Sequence, residues 1–325
     1  MIEKGIRIEV NKMNTTEENT YKKGLFYTAF SYILWGILPL YWKMINNVSP
    51  EEILAHRIFW SFIFMIALLT FTKEWKNVKD VSKRMINNPG LILLLVISSL
   101  LISINWFVYI WSVNNDHLIE ASLGYYINPL ISVLLGMLFF KEKLNLWQKL
   151  SFLIAAVGVL IMTYHYGQIP FVAVTLALSF GLYGLTKKLT KLSSGIGLTF
   201  ETMAVTPIAI IYLIMLATQG ELEFLSFHVP TNLLLIGAGI ATAVPLLLFA
   251  SGAQRIPLFM VGVLQYIAPT ITLIIGIVLY KEPFTKIEVM TFSCIWTSLL
   301  LFTLSNSRSF KKAEFKLKNR NSLEM

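Results

Sequence analysis

YINPLISVLLGMLFFKE, residues 126–142, returns without a gap as YIAPTITLIIGIVLYKE, residues 266–282. Seven of the 17 positions are identical. They are Tyr126, Ile127, Pro129, Ile131, Gly136, Lys141 and Glu142, answered by Tyr266, Ile267, Pro269, Ile271, Gly276, Lys281 and Glu282. Each copy is continuously apolar up to its closing Lys-Glu pair and lacks the period-two alternation of a barrel strand, so it reads as a membrane helix. A fainter echo pairs Ala29, Ser31, Leu34 and Gly36 with Ala177, Ser179, Leu182 and Gly184. The chain is therefore read as a duplicated helical unit.

Working outward from these copies, apolar stretches recur along almost the whole chain. Each is about the ~20 residues that carry an α-helix across ~30 Å of hydrocarbon. The predicted spans are 24–44, 53–72, 91–112, 118–140, 147–166, 169–186, 196–217, 231–252, 257–280 and 286–307. Charged residues make up only 14% of the chain, against about 25% in an ordinary globular domain, so the solvent for most of it is lipid. The predicted fold is an all-α integral membrane protein of ten transmembrane helices in a five-plus-five inverted repeat. Residues 1–23 form a cytoplasmic tail, 24–166 and 169–307 the two five-helix units, and 308–325 a basic cytoplasmic tail.

The basic residues give an independent test of this count. With both termini cytoplasmic, 23 of the 27 Lys and Arg fall on the cytoplasmic side. Lys43, Lys281 and Lys286 fall outside, and Arg57 lies within a span. That asymmetry follows the positive-inside rule and requires an even number of spans. Five helices per unit then make the two units enter the membrane from opposite sides. The net charge of +9 is explained by short loops facing anionic lipid, and nucleic acid is not an expected partner. The expected location is the cell (inner or plasma) membrane, multi-pass.

Residues 1–23 lack an apolar core and a cleavage site, so the first span reads as a retained signal anchor; Met13 is an alternative start to Met1. Cys294 lies among apolar neighbours and reads as an inert thiol. His56, His117, His165 and His228 lie near span ends or in external loops, where a solvated histidine is expected. There is no metal-ligand spacing, and no cofactor is expected.

Five blocks, in order, carry a resemblance to a known family. They are EILAHRIFWSF (52–62), INWFVYIWSVNNDHLIEASLGYYINPL (104–130), FGLYGL (180–185), TAVPLLLF (242–249) and QYIAPT (265–270). Together they closely resemble RarD-type permeases of the EamA branch of the drug/metabolite transporters. The resemblance covers nearly the whole chain apart from its tails. It implies a five-plus-five inverted repeat, a central substrate cavity and alternating access.

The residues point independently to where a solute would bind. Inverted-repeat carriers hold it near the midplane, where corresponding helices are interrupted by Pro or Gly. Pro129 and Pro269 are such a pair, and each frees a backbone carbonyl one turn earlier, tolerable only where it is buried in protein or lines a cavity. Tyr125, Tyr126 and Asn128 lie beside the first, Gln265 and Tyr266 beside the second. Asn105, Trp106 and Tyr109 join them from the third span. Pro39 and Pro245, with Trp35, Tyr183 and Thr242, complete the ring. Prolines and tyrosines also pack and kink helices, and amides in lipid also serve as helix-to-helix hydrogen bonds.

Ionisable groups inside spans are costly and are read as functional by default. Arg57 lies about one turn into the second span and Glu120 begins the fourth on the same side, so the two are candidates to pair. The alternatives for Arg57 are snorkelling to the interface and meeting an anionic substrate group. Glu201 enters the seventh span opposite Glu52 in the repeat, which makes them candidate gate residues. No paired aspartates, His-rich cluster or Ser/His pair supports an enzyme. The longest loop, 73–90, is too short for a sensor output domain. A transporter of a small amphipathic metabolite or drug-like solute is the expected function. A non-transporting membrane regulator or structural membrane protein is the alternative. With both carboxylates near helix ends, an uncoupled facilitator or exchanger is the simplest cycle.

Overall fold

A computed structural model describes residues 2–45, 47–114, 118–167, 171–225, 229–279 and 285–305; within these, side chains are not described at 2–16, 110, 113–114, 118–123, 166, 276 and 288. Among the described residues all regular structure is α-helical. The elements are α1 (Ile2–Lys43), α2 (Pro50–Phe71), α3 (Trp75–Ile86), α4 (Pro89–Asn114), α5 (Leu118–Phe140), α6 (Leu146–Tyr166), α7 (Phe171–Thr190), α8 (Ser194–Gln219), α9 (Val229–Ala253), α10 (Leu258–Gln265), α11 (Ile267–Leu279) and α12 (Lys286–Ser305). Among the described residues eight stretches are long and apolar enough to cross a membrane: Glu17–Lys43, Pro50–Phe71, Pro89–Tyr109, Leu146–His165, Phe171–Thr190, Ser194–Gln219, Val229–Ala253 and Leu258–Leu279. Gly124–Phe140 and Val289–Ser305 are shorter apolar helices.

Local chemistry fixes where several helices start. Ser49 accepts a hydrogen bond from the Glu52 amide and Pro50 follows it, a pairing that nucleates α2. Asn145 and Gln148 form a reciprocal capping box that opens α6. The first span and the loop 73–90 differ from the sequence reading. Helix α1 begins at Ile2, so the segment read as a tail continues the helix of the first span. The loop 73–90 contains α3, whose Val81 and Met85 pack against Leu91, Leu95 and Leu192 at the foot of α4 and α7.

The principal neighbours are α5 with α7 and α10, α4 with α7 and α8, and α1 with α9 and α11. Helix α2 packs on α8 and α9, and α6 on α12. Small residues let backbones approach, as in other membrane bundles. A Cβ added at Gly262 would stand 2.7 Å from the carbonyl oxygen of Pro129, so α10 crosses α5 where only a hydrogen fits. At Gly239 the same atom would stand 2.7 Å from the Ser61 amide nitrogen, and Ser61 Oγ donates to the Gly239 carbonyl at 3.0 Å. The interior is aromatic where α1, α7 and α9 meet: Tyr32, Trp35, Phe180, Tyr183 and Phe249 pack ring against ring. Helix α3 and the turns at 141–145, 191–193 and 254–257 lie together at one end, which carries most of the basic residues and is called the basic end below.

Candidate functional site

Helices α2, α4, α7, α8 and α9 line a narrow cleft of about 20 Å³, room for a water molecule or two in this closed packing. Ile58 and Ser61 line it from α2, Ile102 and Trp106 from α4, and Tyr183 from α7. Leu198, Glu201, Thr202 and Val205 line it from α8, Thr242 and Leu246 from α9. The structure thus brings Trp106, Tyr183 and Thr242, expected as binding residues, to one cavity with Glu201. Trp35 stands behind them: its ring packs on Phe249 at 5.7 Å, and Phe249 stacks on Tyr183 at 5.8 Å.

Arg57 borders this cleft through two of its lining residues. Its Nε donates to Thr242 Oγ1 at 3.0 Å, and its Cζ lies 4.8 Å from the Trp106 ring centroid and 4.6 Å from that of Trp42. A guanidinium is the cation best suited to such indole contact, because it is planar and weakly hydrated. Tyr109 and Tyr125 meet edge to face at 5.8 Å, within electrostatic range of the same guanidinium. Among the described residues no carboxylate forms an ion pair with Arg57; the Glu120 side chain, its expected partner, lies outside them.

Glu201 is only 3% exposed and its carboxylate is fully engaged. Ser98 Oγ donates to Oε1 at 2.7 Å, Lys187 Nζ stands 2.5 Å from Oε2, and the Tyr183 hydroxyl donates to Oε2 at 3.4 Å. Lys187, itself 2% exposed, corrects the sequence reading, which left it in a cytoplasmic loop. Helix α7 continues to Thr190, one turn past the expected end, because the ammonium finds a carboxylate inside the bundle. A buried charge is tolerable when paired and prohibitive when alone. The signal available in sequence was a lysine closing one apolar run and a glutamate one turn into the next.

Glu52 does not join Glu201. At the end away from the basic end it accepts from the Glu223 and Phe224 amides at 3.1 and 3.0 Å, tying the turn before α9 to α2. Its neighbour His56 was expected to be solvated and is instead buried, with Nε2 3.6 Å from Glu52 and its ring packed on Phe224. At the basic end, Glu142 does comparable work that residue type alone did not disclose. Pro257 offers α10 no side-chain cap, and Glu142, reaching from the end of α5, accepts from the Leu258 and Phe259 amides at 2.7 and 2.9 Å. Lys188 bridges Glu142 at 3.1 Å to the Ile256 carbonyl at 2.9 Å. Glu142 is the glutamate of the repeated Lys-Glu pair; its counterpart Glu282 lies outside the described residues.

The remaining expected residues separate from the cleft. Asn105 donates to the Leu176 carbonyl and to Ser179 Oγ, both at 3.0 Å, so its amide fastens α4 to α7. Tyr126 packs edge to face on Phe292 at 5.1 Å, and the Tyr266 hydroxyl donates to the Tyr126 carbonyl at 3.3 Å. Pro129 and Tyr266 line a second, largely apolar cleft of about 20 Å³ with Gln148, Ser151 and Ser298. Asn128 and Gln265 are buried, and neither side-chain carbonyl accepts a hydrogen bond among the described residues. Of the four expected helix breaks, Pro269 alone sits beside one, three residues after the interruption at Tyr266. Helices α1, α5 and α9 run on through Pro39, Pro129 and Pro245. A proline removes one backbone donor, and the remaining ladder with its packed neighbours holds the helix. Among the described residues no cluster of His, Cys, Asp or Glu is placed to hold a metal.

Comparison with known proteins places this arrangement. The EamA-like transporter family model matches twice, over residues 22–164 and 169–304. A Bacillus subtilis protein named as the transporter YojE is 56% identical over 285 residues, covering 87% of this chain and 94% of that one. Protein RarD of Escherichia coli is 39% identical over 283 residues, covering 87% and 94%. A solved crystal structure superposes with a TM-score of 0.65 over 89% of this chain and 99% of that one; at 17% identity this is likeness of fold. A helical bundle with charged groups bordering an interior cleft, matched by the family model in both halves and by close relatives over nearly its full length, belongs to the EamA-like transporter family.

Proposed function

We propose that the chain is a permease that moves a small amphipathic metabolite or drug-like solute by alternating access through the cleft between α2, α4, α7, α8 and α9. The observation that carries this reading is the cleft itself: Glu201 lines it and Arg57 borders it, and ionisable groups inside a membrane bundle mark solute pathways. Apolar walls with a few placed polar groups are also what a small-molecule site requires.

The alternating cycle is read from the repeat. Ten spans fall into two inverted halves, 24–166 and 169–307, with α10 and α11 together forming the ninth. Exchanging halves replaces α1 by α7, α2 by α8, α4 by α9, α5 by α10–α11 and α6 by α12. Under that exchange the α4–α7 contact becomes α9–α1, α5–α7 becomes α10–α11 with α1, and α2–α9 becomes α8–α4. The α6–α12, α2–α8 and α5–α10 contacts map onto themselves. This packing supports two exchangeable arrangements around one site, which is what alternating access needs. The excess of lysine and arginine at the basic end supports its assignment to the cytoplasm, with both termini there.

The test is flux. Purified protein in liposomes, loaded with a panel of labelled amphipathic metabolites, is expected to exchange at least one of them faster than protein-free vesicles, with trans-stimulation by the unlabelled compound. A panel spanning acids, amides and amines with no exchange above the vesicle background would sink the permease reading in favour of a regulatory or structural membrane protein.

A further inference from the structure

We infer that the cleft selects small organic monoanions with a flat aromatic body, held by their carboxylate at Arg57. The inference rests on the permease reading and adds the charge and shape of the solute. It follows from charge accounting around one cavity. Glu201, the carboxylate that lines the cleft, is neutralised by Lys187 and further satisfied by Ser98 and Tyr183. On α2, Glu52 is engaged by two backbone amides and by His56. On α7, Lys188 is paired with Glu142. Helices α4 and α9 contribute no charged side chain to the lining. Arg57, which touches the lining residues Thr242 and Trp106, has no carboxylate partner among the described residues.

Its geometry suits capture of an anion. Nε is used by Thr242, which orients the guanidinium, while the two terminal nitrogens make no hydrogen bond among the described residues. A carboxylate is the acceptor whose two oxygens match that open edge. Trp42 and Trp106 hold the guanidinium within 5 Å of their ring centroids and present indole surface beside it. Beyond Trp106 the lining is Ile58, Ile102, Leu246 and Tyr183, apolar and aromatic surface that a flat body would meet when the cycle opens the cleft. A solute cation would meet Arg57 as a like charge and would find Glu201 already occupied by Lys187.

The experiment compares isosteres on the full-length protein in phosphatidylcholine nanodiscs, reading tryptophan fluorescence. Phenylacetate, phenylacetamide and phenethylamine keep the ring and change the charge. Phenylacetate is expected to bind at least tenfold more tightly than the amide, and the amine not measurably. Arg57→Gln is expected to remove the preference for acid over amide, and Arg57→Lys to retain part of it. Equal binding of acid and amide by the wild type, tighter binding of the amine, or no binding of any overturns the inference, and this arm stands even where Arg57→Gln fails to fold. Glu120→Gln is expected to leave phenylacetate affinity unchanged; a rise above threefold would make Glu120 the partner of Arg57 and overturn it too. Exchange of labelled phenylacetate in liposomes separates the two readings. Acid-selective binding without exchange refutes the permease and keeps the anion site, while exchange without acid preference keeps the permease and refutes the site.

Discussion

Lys187 Nζ stands 2.5 Å from Glu201 Oε2, with both side chains buried between α7 and α8 beside the central cleft. Removing one member of such a pair leaves an uncompensated charge in low dielectric, at a cost of roughly 3–5 kcal/mol, whereas removing both leaves none. Lys187→Met and Glu201→Gln are each expected to lower the melting temperature in detergent sharply, and the double variant to recover most of the loss. Singles that melt with the wild type would mean that water, not the partner, compensates each charge.

Glu142 is expected to act as a latch at the basic end. Its carboxylate satisfies two amides that open α10 and holds Lys188, and hydrogen bonds to a charged group contribute about 1.5–3 kcal/mol each. Glu142→Ala should therefore loosen the start of α10 on α5. A cysteine placed at Phe259 in a Cys294→Ser background should then react several-fold faster with a membrane-impermeant maleimide added to inside-out vesicles. An unchanged labelling rate would leave Glu142 no latching role.

Gly239 tests the α2–α9 contact on which the cleft depends. Its missing side chain lets α9 approach Ser61, while Arg57 and Thr242 join the same two helices at 3.0 Å. Gly239→Ala forces them apart, and overpacking of this kind costs about 1–3 kcal/mol. Reduced thermal stability together with lost solute exchange is the expected result. Retention of both would show that α2 and α9 adjust without disturbing the cleft.

Helix α3 reports topology. Single cysteines at its exposed positions Lys76 and Lys83 should resist an impermeant reagent in intact cells and label after permeabilisation. Labelling by an impermeant reagent from outside would invert the orientation proposed from the basic residues.

Coupling turns on Glu201. By sequence Glu120 and Glu201 fall near helix ends, which favours a facilitator, whereas in the structure Glu201 lines the cleft. Since Lys187 already supplies its counter-charge, the expected cycle still moves solute without protons. In proteoliposomes at fixed membrane potential, an imposed pH gradient should not drive accumulation above equilibrium. Gradient-driven accumulation that disappears in Glu201→Gln would make this carboxylate the coupling site.

How much of this was legible beforehand follows from the range of the forces involved. Span positions depend on local hydropathy against a fixed hydrocarbon thickness, so the apolar runs around Pro129 and Pro269 located their helices within a few residues. Trp106, Tyr183, Thr242, Arg57 and Glu201 stand out in the sequence as candidates because polar or amphipathic side chains are conspicuous in lipid. What each one meets is a long-range fact. Asn105 is a fastener of α4 to α7 rather than a lining residue, Tyr126 packs on Phe292 and Tyr266 lines a different cleft, because helix rotation decides which face a side chain presents. Lys187 read as a loop residue until its partner 14 positions on, across a turn, gave it reason to stay inside. Sequence by itself determined the membrane class, the apolar runs that become helices and the repeated motif, through local hydropathy and repetition; only the tertiary structure decided which charges are paired and which border the cleft, because pairing depends on helices brought together from distant parts of the chain.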